Sequence, residues 1–230
     1  WRRETTRAVR EAGRYFTVLR FDFGLFERTW MLRGFENALV DAALRPDFYA
    51  ELVRRLADHQ MEIVERLVRI PADGIMFGDD WGFQQGVLLG PERWRTFIKP
   101  RWAQIYRAVH DQGKRTISHS CGSVVDILPD IIEIGLDVLE SVQPEARGMN
   151  PYALKKRWGD QITFWGCLGS QSTIQFASPE EIKTEVRRLR AEQEQSRRER
   201  DQAEAASGFA LDFHLSFLPS SSGSDSFAIQ

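Results

Sequence analysis

Strand and helix signals alternate along most of this 230-residue chain, which predicts an α/β fold built on a parallel sheet. Short apolar or β-branched runs recur between helical patterns, glycine-containing breaks separate them, and parallel neighbours need a crossover connection of this kind. No G-x-G-x-x-G or G-x-x-x-x-G-K-[ST] loop lies at a strand-to-helix turn. That absence favours a (β/α) barrel over an open nucleotide-binding sheet.

The elements follow in order. Tyr15-Phe16-Thr17-Val18-Leu19 reads as a strand. From Pro46, the apolar residues Phe48, Tyr49, Leu52, Val53, Leu56, Ile63, Val64 and Leu67 recur mostly at three- and four-residue steps, predicting a helix of about 24 residues with Asp47 and Glu51 near its start. Ala72-Asp73-Gly74 breaks it, and Ile75-Met76-Phe77 is a buried strand ending in Gly78-Asp79-Asp80. Gly90-Pro91-Glu92 opens the next helix, with Pro at the first helical position. Pro100 ends or kinks it before a second helix through Val109, closed by Gly113.

The cycle repeats with strand 116–118, helix 123–134, strand 138–139, helix 152–158 and strand 162–165. A last helix starts at Ser178-Pro179-Glu180-Glu181, where Ser178 and Glu181 form a capping box. From Arg187 to Ala206 Arg, Glu and Gln dominate, and from Ser207 the chain is Ser/Gly-rich; this reads as a solvated helix extension with a disordered end, a partner-binding helix being the minority option.

Composition bounds the function. With 31 basic against 33 acidic side chains there is no broad basic field for nucleic acid or an anionic membrane. A small anionic substrate is still allowed. Asp126, Asp130, Glu133 and Asp137 interrupt the most apolar region, short of the ~18 residues a span needs, so a soluble protein is expected. Two cysteines, Cys121 and Cys167, are too few for a disulfide scaffold and point to free, catalytic or metal-bound thiols in a reducing compartment. Trp1-Arg2-Arg3-Glu4 carries neither an initiator Met nor a signal sequence, so a fragment or processed chain is expected.

In a parallel barrel the reactive groups gather where strands end. Those groups here are Asp79 and Asp80, then His119, Ser120 and Cys121, then Glu140, then Cys167. His119-x-Cys121 is the sharpest signal, because residues i and i+2 of an extended segment face the same side and zinc accepts both imidazole and thiolate. The competing reading is a chance pair with a small buried thiol. Glu140 and Cys167 are candidates to complete a metal set, although Cys167 lies two strands away across about 9.5 Å of sheet. Asp79 and Asp80 serve as a general base, a substrate acceptor or a partner orienting His119; otherwise one caps a loop and the other is solvated. Trp81, Trp94, Trp102 and Phe83 line an apolar mouth or, more commonly, pack the core. His59 and His110 lie within helices as surface or core residues, and His214 lies in the tail.

Together, Phe77-Gly78-Asp79-Asp80-Trp81-Gly82, Pro91-Glu92, Lys99-Pro100, His119-Ser120-Cys121-Gly122, Gln143-Pro144, Gly148-Met149, Phe164-Trp165-Gly166 and Ser178-Pro179-Glu180-Glu181 make the chain resemble the uroporphyrinogen decarboxylase superfamily over roughly residues 15 to 190. That superfamily includes the decarboxylases of porphyrin biosynthesis and the cobalamin-associated or thiol-directed methyltransferases. The resemblance implies an eight-stranded (β/α) TIM barrel, incomplete at the N-terminus and at the C-terminus, with residues 1–190 a partial barrel and 191–230 a divergent or disordered tail. The segment that in true decarboxylases carries the substrate-gripping Arg and Asp residues has no counterpart. After Leu189 the family pattern gives way to the atypical tail, consistent with a frameshift or chimeric end.

By the same resemblance, His119 and Cys121 look like the first two zinc ligands of the methyltransferase branch, and Glu140 falls where a further ligand can lie. The third ligand of that branch is typically a Cys near the last strand; Cys167 is one strand early, a substitute rather than a match. The expected function is zinc-dependent methyl transfer to a thiol from a corrinoid or related donor, in the cytoplasm, on a small-molecule substrate, with a corrinoid protein or a homodimer as partner. The alternatives are a cofactor-free uroporphyrinogen decarboxylase, with Asp80 near the pyrrole nitrogens, and an inactive barrel fragment acting as a binding module.

Overall fold

The structure, a computed structural model, describes residues 2–13, 15–22 and 24–207; His214 and the Ser/Gly-rich end lie outside them. Five parallel strands form the sheet: β1 (Val18–Phe21), β2 (Gly74–Gly78), β5 (Arg115–His119), β6 (Val138–Val142) and β7 (Thr163–Gly166). A small antiparallel hairpin, β3 (Gly82–Phe83) with β4 (Gly86–Val87), stands apart, just after β2. The five strands lie side by side in chain order, each parallel to the next. A doubly wound sheet would reverse direction at a switch point, whereas single-direction winding is that of a barrel. The order therefore decides for the barrel, which does not close among the described residues.

The helices are α1 (Arg2–Glu11), α2 (Leu25–Arg33), α3 (Phe35–Leu44), α4 (Pro46–Leu67), the turn α5 (Pro91–Arg93), α6 (Lys99–His110), α7 (Leu128–Glu133), α8 (Pro151–Trp158), α9 (Thr173–Phe176) and α10 (Pro179–Ser207). Helix α4 runs 22 residues, close to the spacing-based expectation. Pro100 does not break its helix: α5, a π-helical stretch (Trp94–Ile98) and α6 run on without interruption, and Pro100 sits in the first turn of α6, where a missing N–H costs little. The expected helix 123–134 is shorter, a 3₁₀ turn (Val125–Ile127) leading into α7. Ser178 and Glu181 exchange the capping-box bonds, the Ser178 N–H donating to the Glu181 carboxylate at 2.7 Å. The last helix then continues unbroken across residue 190. None of the described helices is long and apolar enough to cross a membrane.

Strand β1 starts three residues later than predicted. Asp73 takes both the backbone N–H and the hydroxyl of Thr17, at 2.6 and 2.7 Å, and holds the chain out of the sheet until Val18.

One sheet face carries a small cluster of Met76, Ile117 and Val138 with Val18; the other joins the main core. Trp81, Trp94, Trp102, Tyr49, Tyr106 and Phe77 are fully buried in that core, which settles the three tryptophans as packing residues, whereas Phe83 is 47% exposed. Phe77 and Trp102 meet edge to face at 5.1 Å. Such pairs add about 0.5–1.5 kcal/mol beyond area burial.

At the opposite end of the sheet from the strand termini discussed below, Asp137 fastens β5 and α6 to β6. Its carboxylate accepts the Thr116 N–H at 2.8 Å, meets His110 Nε2 at 2.8 Å and pairs with Arg115 at 3.0 Å. Burial pushes its pKa up, but the Thr116 N–H, His110 and Arg115 outweigh it and hold the group below the usual carboxylate value. A lowered pKa contributes stability that is present above the unfolded value of about 3.9 and is lost as pH falls through the folded one. Asp137→Asn should therefore cost about 1–3 kcal/mol at pH 7. In urea titrations its gap to the wild type should narrow as pH falls toward 3.

Candidate metal centre

The register sets Gly78, His119, Glu140 and Trp165 side by side across the carboxyl end of the sheet. His119 lies two residues beyond Ile117, and Glu140 two beyond Val138, so both side chains share the face of the small inner cluster. The chain leaves β5 at His119 and turns at Gly122, whose φ of +74° is a region that favours glycine. The turn is pressed against the β3–β4 hairpin. A Cβ on Gly82 would stand 2.6 Å from the Cys121 carbonyl oxygen and 2.8 Å from that of Ser123. Gly82→Ala should accordingly cost about 1–3 kcal/mol in thermal melts and displace Cys121.

Three donors converge. His119 Nε2 is 3.4 Å from Cys121 Sγ and 3.5 Å from Asp80 Oδ1, and the ligand atoms of the three residues lie within 4.8 Å of one another. Asp80 Oδ1 also accepts the Cys121 N–H at 2.8 Å, which ties the loop after β2 to the loop after β5. Glu140 meets the other ring nitrogen, Nδ1, at 2.5 Å. A carboxylate on Nδ1 fixes the ring and leaves Nε2 facing the cysteine and the aspartate. Hydrogen bonds to Cys121 and then to Glu140 raise the His119 pKa to about 10 against the opposing effect of burial.

The donor set suits a metal. Two ligands on one tetrahedral zinc, each at about 2.0–2.3 Å, must lie about 3.3–3.8 Å apart. The two separations from Nε2 fall in that range, and nitrogen, sulfur and carboxylate oxygen are all zinc donors.

The site residues read from sequence separate into groups. His119 and Cys121 stand together; Asp80, expected as a catalytic or orienting group, joins them; and Glu140, expected as a ligand, reaches the ring from behind. Cys167 is outside the trio, packed against the main core, where burial pushes its thiol up to about 11. Asp79 is fully buried and accepts four N–H bonds: Phe26 N at 3.2 Å, Glu27 N at 2.9 Å, Trp81 Nε1 at 2.7 Å and Trp102 Nε1 at 3.0 Å. Burial raises it to about 6, with those bonds opposing.

Sequence reasoning missed Glu27. Its half-buried carboxyl is pushed up to about 7 by burial, then by the charges of Asp79 and Asp80. A carboxyl that titrates near neutrality can hold or take a proton there. Glu27 stands in the first turn of α2, six residues past the end of β1, whereas Asp80 is two past β2, so a search confined to strand ends does not reach it.

Comparison with known proteins bears on the family and the fold. The family model described as Uroporphyrinogen decarboxylase (URO-D) matches residues 4–200. The chain belongs to the uroporphyrinogen decarboxylase family. The match covers the described barrel strands and most of α10, extending past the 15–190 span of the motifs. Among solved structures, this family member is similar to a methyltransferase from Methanosarcina mazei, with a TM-score of 0.64 and 21% identity over 78% of this chain and 51% of that one. At that identity the likeness shows the fold, and the chain spans about half the length of that structure. No curated protein matches the sequence.

Proposed function

We propose that this family member is a zinc-dependent methyl-transfer enzyme acting on a small thiol, with a corrinoid or related methyl donor. The observation that carries the reading is the convergence of Asp80, His119 and Cys121 at the carboxyl end of the sheet, with Glu140 behind the imidazole. The fold it shares with a methyltransferase supports the reaction class. His119 Nε2, Cys121 Sγ and an Asp80 oxygen would hold the ion, which when bound supplies Lewis acidity that lowers the pKa of a substrate thiol. Glu140 accepts a hydrogen bond from Nδ1–H, so that loss of the Nε2 proton as the ion binds would leave Nε2 as the lone pair facing it. In the reaction the thiol would first give up its proton to solvent; the sulfur–carbon bond then forms as the donor–carbon bond breaks, the electron pair of that bond staying with the donor. A corrinoid-carrying protein and a second copy of the chain belong to the same proposal, as partners.

The test is metal analysis with two assays. About one zinc per chain, and methyl transfer from methylcobalamin to a thiol, are expected. Metal-free protein that decarboxylates uroporphyrinogen would overturn the reading in favour of the decarboxylase branch. Glu140→Gln should leave the three donors in place but weaken metal affinity about 10–100-fold, the usual cost of losing a partner behind a ligating histidine. Competition with a chromophoric chelator measures it.

A further inference from the structure

We propose that Asp79 is the positioning residue of this centre, holding Asp80 against His119 and Cys121 although it touches none of their donor atoms itself. The proposal deepens the metal-centre reading and rests on it for its consequence in metal affinity. A carboxylate sealed from water is tolerable when its lone pairs are filled, and an ionised one offers about four acceptor sites. Asp79 has four donors, and they come from three separate places: the first turn of α2 through Phe26 and Glu27, the loop after β2 through Trp81, and α6 through Trp102. Close approach is required: a Cβ on Gly24 would lie 2.5 Å from the Asp79 Cβ and 2.8 Å from Trp102 Cζ2.

The residues on both sides of Asp80 are then bound to the loop that bears the imidazole and the thiol. Asp79 N–H donates to the His119 carbonyl at 3.0 Å, and Trp81 N–H donates to Ser120 Oγ at 2.9 Å. Between them, Asp79 fixes Glu27 by accepting its backbone N–H at 2.9 Å, and the Glu27 carboxyl lies near enough to Asp80 to feel its charge. The Asp80 carboxylate has little freedom except to face Cys121 and His119. A carboxylate serving only to fill the core would have no reason to link these particular segments.

The experiment uses the two thiols of the chain as reporters. Metal-free wild type, Asp79→Asn and Trp102→Phe are alkylated with iodoacetamide, and modification of Cys121 and Cys167 is followed separately by peptide mass spectrometry; Co(II) is titrated into each protein in parallel. In Asp79→Asn one acceptor oxygen becomes an NH₂ group that opposes an N–H donor. The Cys121 rate should fall about fivefold as the thiol loses its fixed place beside the imidazole, with Cys167 unchanged. Co(II) affinity should fall about tenfold, with an altered d–d spectrum. Trp102→Phe removes one donor and keeps a ring, so it should show the same pattern at smaller amplitude, and it decides the matter if Asp79→Asn does not fold. An unchanged Cys121 rate overturns the proposal, as does a parallel change at both thiols, the signature of general loosening. If wild type takes up no Co(II), the metal-centre reading fails by itself and the ratio of the two thiol rates decides the positioning role.

Discussion

Cys121→Ser is expected to strip the protein of bound zinc and of methyl transfer together. The sulfur is one of three converging donors, and a serine hydroxyl in its place keeps its proton at neutral pH and is a poor zinc ligand. Affinity should drop at least about 100-fold, beyond what loss of a supporting partner such as Glu140 produces. The fold should survive, since Cys121 lies in a loop outside the packed core. Cys167→Ser supplies the contrast: that thiol lies apart from the trio, so the variant should retain its ion. Metal content by mass spectrometry, with circular dichroism to confirm folding, measures both. Retention by Cys121→Ser with loss from Cys167→Ser would move the centre elsewhere.

Phe77→Ala should be the most damaging single change to stability. The ring is fully buried between β2 and α6, 5.1 Å from Trp102 and 6.0 Å from Tyr106, and its removal leaves a cavity that these rigid rings cannot collapse into. A loss of about 3–5 kcal/mol is expected, read as a lower urea midpoint with an unchanged slope. A loss below about 1 kcal/mol would mean that the neighbouring helix repacks, contrary to the tight ring arrangement described.

Part of the sheet was legible because buried parallel strands are short apolar or β-branched runs between breaks. Ile75-Met76-Phe77 is such an apolar run and Thr116-Ile117-Ser118 a β-branched one, and only their ends moved, by one residue each. Helices α2 and α3 were not foreseen. Their apolar side chains are not confined to one face: Met31, Leu32, Phe35 and Leu44 are exposed while Leu25, Phe26 and Ala38 are buried, which blurs the helical period. Of the centre, the His119–Cys121 pair was readable because its spacing is local. The place of Asp80 was not, because it depends on how β2 pairs with β5: Gly78 stands level with His119, which puts Asp80 beside Cys121. The roles of Glu140 and Asp79 likewise depend on contacts between segments distant in sequence. Spacing can nominate such residues, but it cannot say which lone pair faces the metal and which faces the scaffold.

The strands that bear the three donors and the supporting Glu140 are β2, β5 and β6, immediate neighbours in the sheet. A cation captured there would act as a staple, joining consecutive turns of the winding within residues 80–140 rather than spanning the barrel mouth. Loading would therefore protect that sector against local opening in proportion to the logarithm of metal concentration over Kd, and it would do so whether or not the remaining circumference of the cylinder had been assembled.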